Sequence, residues 1–217
     1  MIKAALFDLD GVMVDSDLIS SQAYEKVIRQ YHKIPVFNEY GLVHVSGMRE
    51  VDVWEILKKQ HHIKESIEIL ARKRAEFYNH KLKMLLPQAG LIPLLENLQQ
   101  HNIKLAVASS SSRDRIKTKL SVIHVLDFFQ TIISGDDVIH GKPAPDIFLK
   151  AANNLEINPS DCVVFEDSQS GVTAAYIAKM KVIAIPTQFT KKHDFSHANL
   201  IVKSLQDITW KRISNLA

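Results

Sequence analysis

Two carboxylates one residue apart, Asp8 and Asp10, end a short apolar run, Ala4-Ala5-Leu6-Phe7, and stand just before Gly11. In an extended chain successive side chains point to opposite faces. The two acids therefore point the same way, where a strand ends and the chain begins to turn. Anions held that close repel, and they require a cation between them, a shared proton or a reaction that uses both. Asp before Gly is also common in plain turns. A calcium loop fits poorly. That pattern wants a further acid and then glycine, and here the two positions are Val12 and Met13.

Three later segments carry related chemistry, each after an apolar run. Ser109-Ser110-Ser111-Ser112-Arg113 offers hydroxyls and backbone N–H groups before a helix start, which can hold an anion or simply cap the helix. Gly141-Lys142-Pro143-Ala144-Pro145-Asp146 reads as a rigid loop presenting one ammonium. It is not a phosphate-binding P-loop, because Gly135 is one residue too distant and Pro143 replaces the required Ser/Thr. Glu166-Asp167-Ser168 supplies a second acidic pair, suited to magnesium, or a helix cap. Each segment has a bland explanation alone. Together, at strand ends where open α/β sheets bind ligands, they suit a phosphate ester.

The elements that must position these groups are legible from periodicity. Runs at Ala4–Leu9, Lys104–Ala108, Thr131–Ser134, Cys162–Glu166, Val182–Ile185 and Leu200–Val202 read as buried strands. Amphipathic helices alternate with them, on stripes such as Leu91/Leu94/Leu95/Leu98, Ile116/Leu120/Ile123, Ile147/Phe148/Ala151/Ala152/Leu155 and Val172/Ala175/Tyr176. The expected fold is α/β, a Rossmann-like doubly wound parallel sheet covered on both faces. From about Asp15 to Leu85 only helical patterns occur, too long for a loop. They predict an inserted all-helical cap domain over 15–85, with the α/β core formed by 1–14 and 86–217. The chain should cross between them near Val14–Asp17 and Lys83–Pro87, placing the insertion over the acidic pair.

Composition favours none of several other classes. The 217 residues are 46% apolar, enough for a core, and the 27 basic and 24 acidic residues nearly balance. No basic stripe with interleaved aromatics points to nucleic acid. No apolar run approaches a membrane span, and the first residues enter a strand directly, so no signal peptide is expected. The single Cys162 can form no internal disulfide, which fits a reducing cytoplasm, and beside Val163-Val164-Phe165 it reads as a buried structural thiol. A monomer acting on a small-molecule phosphate ester is expected. His61 and His62, adjacent on a helix, should point apart and lie at the surface.

The four segments together resemble the haloacid dehalogenase-like superfamily, in its phosphatase and phosphomutase branch. The wording Phe-Asp-Leu-Asp-Gly-Val and Glu-Asp-Ser-Gln is similar to β-phosphoglucomutase-like members. The resemblance implies that Asp8 is a nucleophile forming an aspartyl-phosphate and that Asp10 is the general acid/base. It implies that Ser109, Ser110 and Lys142 hold the phosphate. It also implies Mg²⁺ at Asp8, the Asp10 carbonyl and Asp167, with Glu166 acting directly or through water. The second acid, Asp10, favours phosphoryl transfer over dehalogenation.

Sugar-phosphate mutases of this branch carry a histidine ten residues after the second acid; here that residue is Ser20. Their cap arginine and lysine correspond to Arg49, one residue early in Gly47-Met48-Arg49, and to Arg74. Their Lys-Asn after the serine reads Ser112-Arg113. Ser20, Arg49, Arg74, Ser111 and Arg113 are thus the candidates for contacts to the rest of the substrate. For the three arginines a solvated face is the alternative. The expectation is a Mg²⁺-dependent phosphatase of sugar or polyol phosphates. A mutase comes second, and a non-catalytic phosphometabolite-binding protein is the alternative of another class.

Overall fold

A computed structural model of the chain describes residues 1–33 and 48–216. Six apolar runs form strands: β1 Ala4–Phe7, β2 Lys104–Ala108, β3 Thr131–Ile133, β4 Cys162–Glu166, β5 Lys181–Ala184 and β6 Leu200–Ile201. They make one sheet, ordered β3-β2-β1-β4-β5-β6, with every neighbouring pair parallel. This is the doubly wound, Rossmann-like order, in which successive strands are added on one side of β1 and then on the other.

Two-residue alternation divides each central strand between two apolar layers. Ala5, Phe7, Leu105, Val107, Val163 and Phe165 face one layer, while Ala4, Leu6, Ala106, Ala108, Cys162 and Val164 face the other. The first layer is closed by α4 (Leu91–Gln100), α5 (Arg113–Val122) and α8 (Trp210–Ser214). The second is closed by α6 (Asp146–Leu155) and α7 (Gln169–Ile177). Phe7 opposes Phe165 in register, and their rings stack at 4.5 Å, locking β1 to β4 beside the acidic residues that follow both. Cys162 is fully buried, and burial pushes its thiol up to about 12, as a structural cysteine requires.

Boundaries differ slightly from those read by pattern. β1 stops at Phe7 because Leu9 starts a turn, its carbonyl accepting from Met13 and Val14 N–H. Tyr176, placed on an apolar stripe, is instead exposed and stacks on His197 at 4.1 Å. The two adjacent histidines do diverge, but only His62 is exposed. His61, expected at the surface, is buried at the end of its helix, and burial lowers its pKa.

Between β1 and α4 lie α1 (Asp17–Gln30), α2 (Glu50–His61) and α3 (Ile67–Leu82). Tyr24, Val27, Ile28, Val53, Trp54, Leu57, Ile63 and Leu70 form a separate apolar cluster among these helices. The end of α3 instead joins the sheet's own layer through Tyr78 and Leu82, as does Ala23 of α1. The chain leaves and returns side by side, for Val14 bridges Pro87 and Gln88 N–H donates to Met13 O at 2.8 Å. Gly47, part of the pattern used to place Arg49, lies outside the described residues.

Candidate active site

The sheet order puts a crevice where β1 and β4 lie side by side and their following loops part. Asp8 follows β1 directly. Its N–H donates to Phe165 O at 3.0 Å, extending the ladder by one rung and fixing the backbone beside Glu166. Gly11 then turns the chain at φ +87°, where L side chains are strained. Added there, a Cβ would meet Asp167 Oδ2 at 2.4 Å. The glycine thus lets the Asp10–Gly11 backbone press against the Asp167 carboxylate.

Lys142 reaches this point from the loop between β3 and α6. Its buried ammonium donates to Asp8 Oδ1 at 2.5 Å, Glu166 Oε1 at 2.6 Å and Ala108 O at 3.2 Å. Glu166 Oε2 accepts from Ser168 N–H at 2.8 Å and Ser168 Oγ at 2.9 Å. Both Glu166 oxygens are therefore engaged by Lys142 and Ser168. Ser168 also caps α7 by accepting from Gly171 N–H at 3.1 Å. A Cβ on Gly171 would collide with Glu166 Oε1 at 1.7 Å, so this helix start accepts the carboxylate only because the residue is glycine. Burial pushes the Asp8 carboxyl up to about 7, against the pull of Lys142 and with the repulsion of Glu166. The two carboxylates in turn hold the Lys142 ammonium firmly charged despite its burial.

Asp10 has a different environment. Its Oδ1 accepts from Ser16 Oγ and from Lys119 Nζ, and its Oδ2 accepts from Ser111 Oγ at 3.0 Å. Burial raises its pKa, but Lys119 and the hydroxyls outweigh that and lower it. Environment therefore pushes the two aspartates apart: burial favours a proton on Asp8, while Lys119 and the hydroxyls hold Asp10 as a carboxylate.

Asp8 and Asp10 line a cavity of about 90 Å³ together with Ser20, Arg74, Ser109, Ser110 and Ser111. Arg74 is almost fully buried. It donates to Ser20 Oγ at 2.7 Å and Glu50 Oε1 at 3.2 Å, with its guanidinium carbon 4.1 Å from the centre of the Tyr24 ring. Arg115 of α5 pairs with the other Glu50 oxygen, so Glu50 joins α2 to α5. Arg49 and Arg113 do not line this cavity. Arg49 is held by Asp52 at 2.8 Å and donates to Ile139 O at 3.1 Å, while Arg113 pairs with Asp137 at 2.7 Å.

Sequence reasoning missed Ser16, Glu50, Arg115 and Lys119. A signal did exist for Lys119. It falls three residues after Ile116 and one before Leu120, on the apolar side of α5, where an unpaired lysine would be costly.

The chemistry expected of this site includes magnesium. Among the described residues no three His, Cys, Asp or Glu side chains converge as a metal cluster. Magnesium commonly uses only one or two carboxylates and completes its shell with water and substrate phosphate oxygens. The donors here, all oxygen, are the carboxylates of Asp8 and Asp167 and the Asp10 carbonyl, on the turn that Gly11 presses against Asp167. That set fits a hard divalent ion, with Glu166 acting on Lys142.

Residues 5–185 match the family profile described as haloacid dehalogenase-like hydrolase. The chain is 32% identical over 183 residues to the phosphorylated carbohydrates phosphatase of Thermotoga maritima, a match covering 84% of each chain. It is 30% identical over 207 residues to the bifunctional riboflavin kinase/FMN phosphatase of Arabidopsis thaliana. That match takes in 95% of this chain but 54% of the plant protein, so the chain spans about half of that relative's length. The solved structure of β-phosphoglucomutase from Clostridium difficile is similar in fold, with a TM-score of 0.88 at 24% identity, over 100% of this chain and 97% of that one.

Proposed function

We propose that this chain, which belongs to the haloacid dehalogenase-like hydrolase family, is a Mg²⁺-dependent phosphatase of small phosphorylated metabolites, sugar or polyol phosphates in particular. The observation that carries the reading is Lys142 held between Asp8 and Glu166 at the β1/β4 crevice, with Asp10, Ser109 and Ser110 lining the same cavity as Asp8. The Thermotoga maritima relative's name supports the substrate class.

Asp8 attacks phosphorus, forming an aspartyl O–P bond as the ester P–O bond breaks. Asp10 gives its proton to the departing oxygen. It then takes a proton from the water that attacks the aspartyl-phosphate, releasing inorganic phosphate and restoring Asp8. Lys142 and the Ser109–Ser110 segment hold phosphate oxygens and stabilise charge during transfer. Asp8, Asp167 and the Asp10 carbonyl would hold magnesium, which would supply charge neutralisation between the nucleophile and the phosphate.

Residues 15–85 act as a cap whose Ser20 and Arg74 face the leaving group. Water, rather than a sugar hydroxyl, takes the phosphoryl group. At the position where the mutases of this branch carry histidine, Ser20 accepts a hydrogen bond from Arg74 and offers no imidazole. The test is phosphate release from a panel of sugar and polyol phosphates with Mg²⁺. Interconversion of hexose 1- and 6-phosphates without net phosphate release would point instead to the mutase. Binding of these esters without turnover would point to a non-catalytic protein.

A further inference from the structure

We infer that Arg49 is a positioning residue for Lys142: its side chain lies across Gly141 and fixes the loop that carries the ammonium into the crevice. This rests on Lys142 stabilising phosphoryl transfer to Asp8.

The carrying observation is why residue 141 is glycine. Among the described residues the glycines at positive φ are Gly11 and Gly90. The backbone at Gly141 therefore does not demand a missing side chain. Close approach does. A Cβ there would meet Arg49 Nε at 3.0 Å and its Cδ and Cγ at 3.1 Å, and these are the three nearest atoms. All are tighter than ordinary van der Waals separation. Gly135 gives the same stem a second seat. A Cβ on it would fall 3.2 Å from Arg49 Cγ, besides meeting Ser110 O at 2.5 Å.

The head group is held as firmly as the stem. Arg49 stands immediately before α2, and Asp52, in the first turn, accepts from its Nε at 2.8 Å and its Nη2 at 2.9 Å. That is the two-point pairing that suits a planar guanidinium. Nη1 is left to donate to Ile139 O at 3.1 Å, three residues before Lys142. With its charge matched by Asp52 and its side chain outside the cavity lining, Arg49 is not set to bind a substrate anion. It acts on the loop instead. Ile139 is 81% exposed, so its own side chain does not anchor that stretch.

Lys142 needs such a hold. Its side chain is fully buried, and its ammonium meets Asp8 at 2.5 Å and Glu166 at 2.6 Å. A lysine stem is flexible, so the backbone it leaves from decides where the charge stands. A misplacement of about 1 Å can cost about 10²-fold in rate. The next residue, Glu50, begins α2, lines the cavity and pairs with Arg74 and Arg115. Seating Arg49 on the loop therefore sets one wall of the cavity and the ammonium relative to each other.

The experiment uses the full-length protein with Mg²⁺ and a sugar phosphate that the wild type hydrolyses. Arg49→Ala is expected to lower kcat about 10–100-fold with KM within about 3-fold. Arg49→Lys, which keeps the stem but not the two-point pairing, should recover part of the loss. The decisive protein combines Arg49→Ala with Lys142→Met. If Arg49 acts through Lys142, this protein should turn over within about 2-fold of Lys142→Met alone. Losses that multiply in the double variant overturn the inference. So does no loss in Arg49→Ala, or a rise in KM at unchanged kcat, which would make Arg49 a substrate contact. Should Lys142→Met fail to fold, Gly141→Ala decides. Its Cβ should lower kcat in the wild type and cost nothing further in Arg49→Ala, where the space is open; equal loss in both backgrounds overturns the inference. If Arg49→Ala itself does not fold, the arginine is structural and the inference is overturned. In all these cases the wild type still releases phosphate, and the phosphatase reading stands. Wild-type protein that releases none from any ester overturns that reading, and the inference with it.

Discussion

Lys142 Nζ donates to Asp8 Oδ1 at 2.5 Å, and the same ammonium is shared with Glu166 at 2.6 Å. One cation thus neutralises the proposed nucleophile and is itself oriented by a carboxylate outside the cavity lining. Replacing it with Lys142→Met leaves two buried carboxylates facing each other. Removing one partner of a buried pair costs about 3–5 kcal/mol, and removing one charge stabiliser of the transition state costs about 10²–10³-fold in kcat. Denaturant unfolding and steady-state kinetics read the two effects separately. Normal turnover in the variant would show that the ammonium is not needed.

Gly11→Ala should damage magnesium binding before anything else. The new Cβ would fall 2.4 Å from Asp167 Oδ2 at a backbone φ of +87°. The strain costs about 1–2 kcal/mol, and the displaced carboxylate weakens the metal site. The Mg²⁺ concentration for half-maximal activity is expected to rise about 10–100-fold. An unchanged magnesium requirement would place the ion elsewhere.

Asp137 gives a pH-dependent stability test away from the cavity. Burial works against its charge, but Arg113 and Ser134 hold its carboxyl down to about 2. A depressed folded pKa contributes stability above the unfolded value that is lost as pH falls toward the folded one. Allowing for its partial exposure, Asp137→Asn should destabilise by about 1–2 kcal/mol at neutral pH. The difference from wild type should shrink as pH falls from about 4 toward 2, and urea melts across that window check it. A difference that does not change with pH would assign the effect to shape rather than charge.

Arg74 of α3 holds Ser20 of α1 and Glu50 of α2 at the cavity. Arg74→Met leaves Glu50 paired with Arg115, which limits damage to the fold. If Arg74 holds substrate equally in the ground and transition states, KM for a sugar phosphate should rise about 10-fold with kcat nearly unchanged. A loss confined to kcat would move Arg74 into the chemistry.

The sheet was legible because buried parallel strands are short apolar runs, and Asp8 and Glu166 stand where such runs end. Chain reversals were harder. Leu9 is as apolar as Phe7, and only its carbonyl's role in the turn ends β1 before it. The side of the cavity built from α1, α2 and α3 was least legible, because a charged residue's partner depends on tertiary packing. Arg49 and Arg113 looked equivalent to Arg74 by type, yet Asp52 and Asp137 draw them out of the cavity lining. Glu50 and Arg115 carry no distinguishing sequence signal, because their roles arise only where α2, α3 and α5 come together. His61 was expected at the surface for the same reason, being polar by type but buried by its helix's packing.

The most direct test of the account is to trap the phosphoryl group on Asp8. Wild-type protein with Mg²⁺ and a labelled sugar phosphate, quenched in acid within one turnover, should carry label on the peptide containing Asp8. That label should pass to inorganic phosphate at longer times, and Asp8→Asn should show neither. Phosphate release by Asp8→Asn at the wild-type rate, or label on another residue, would contradict it.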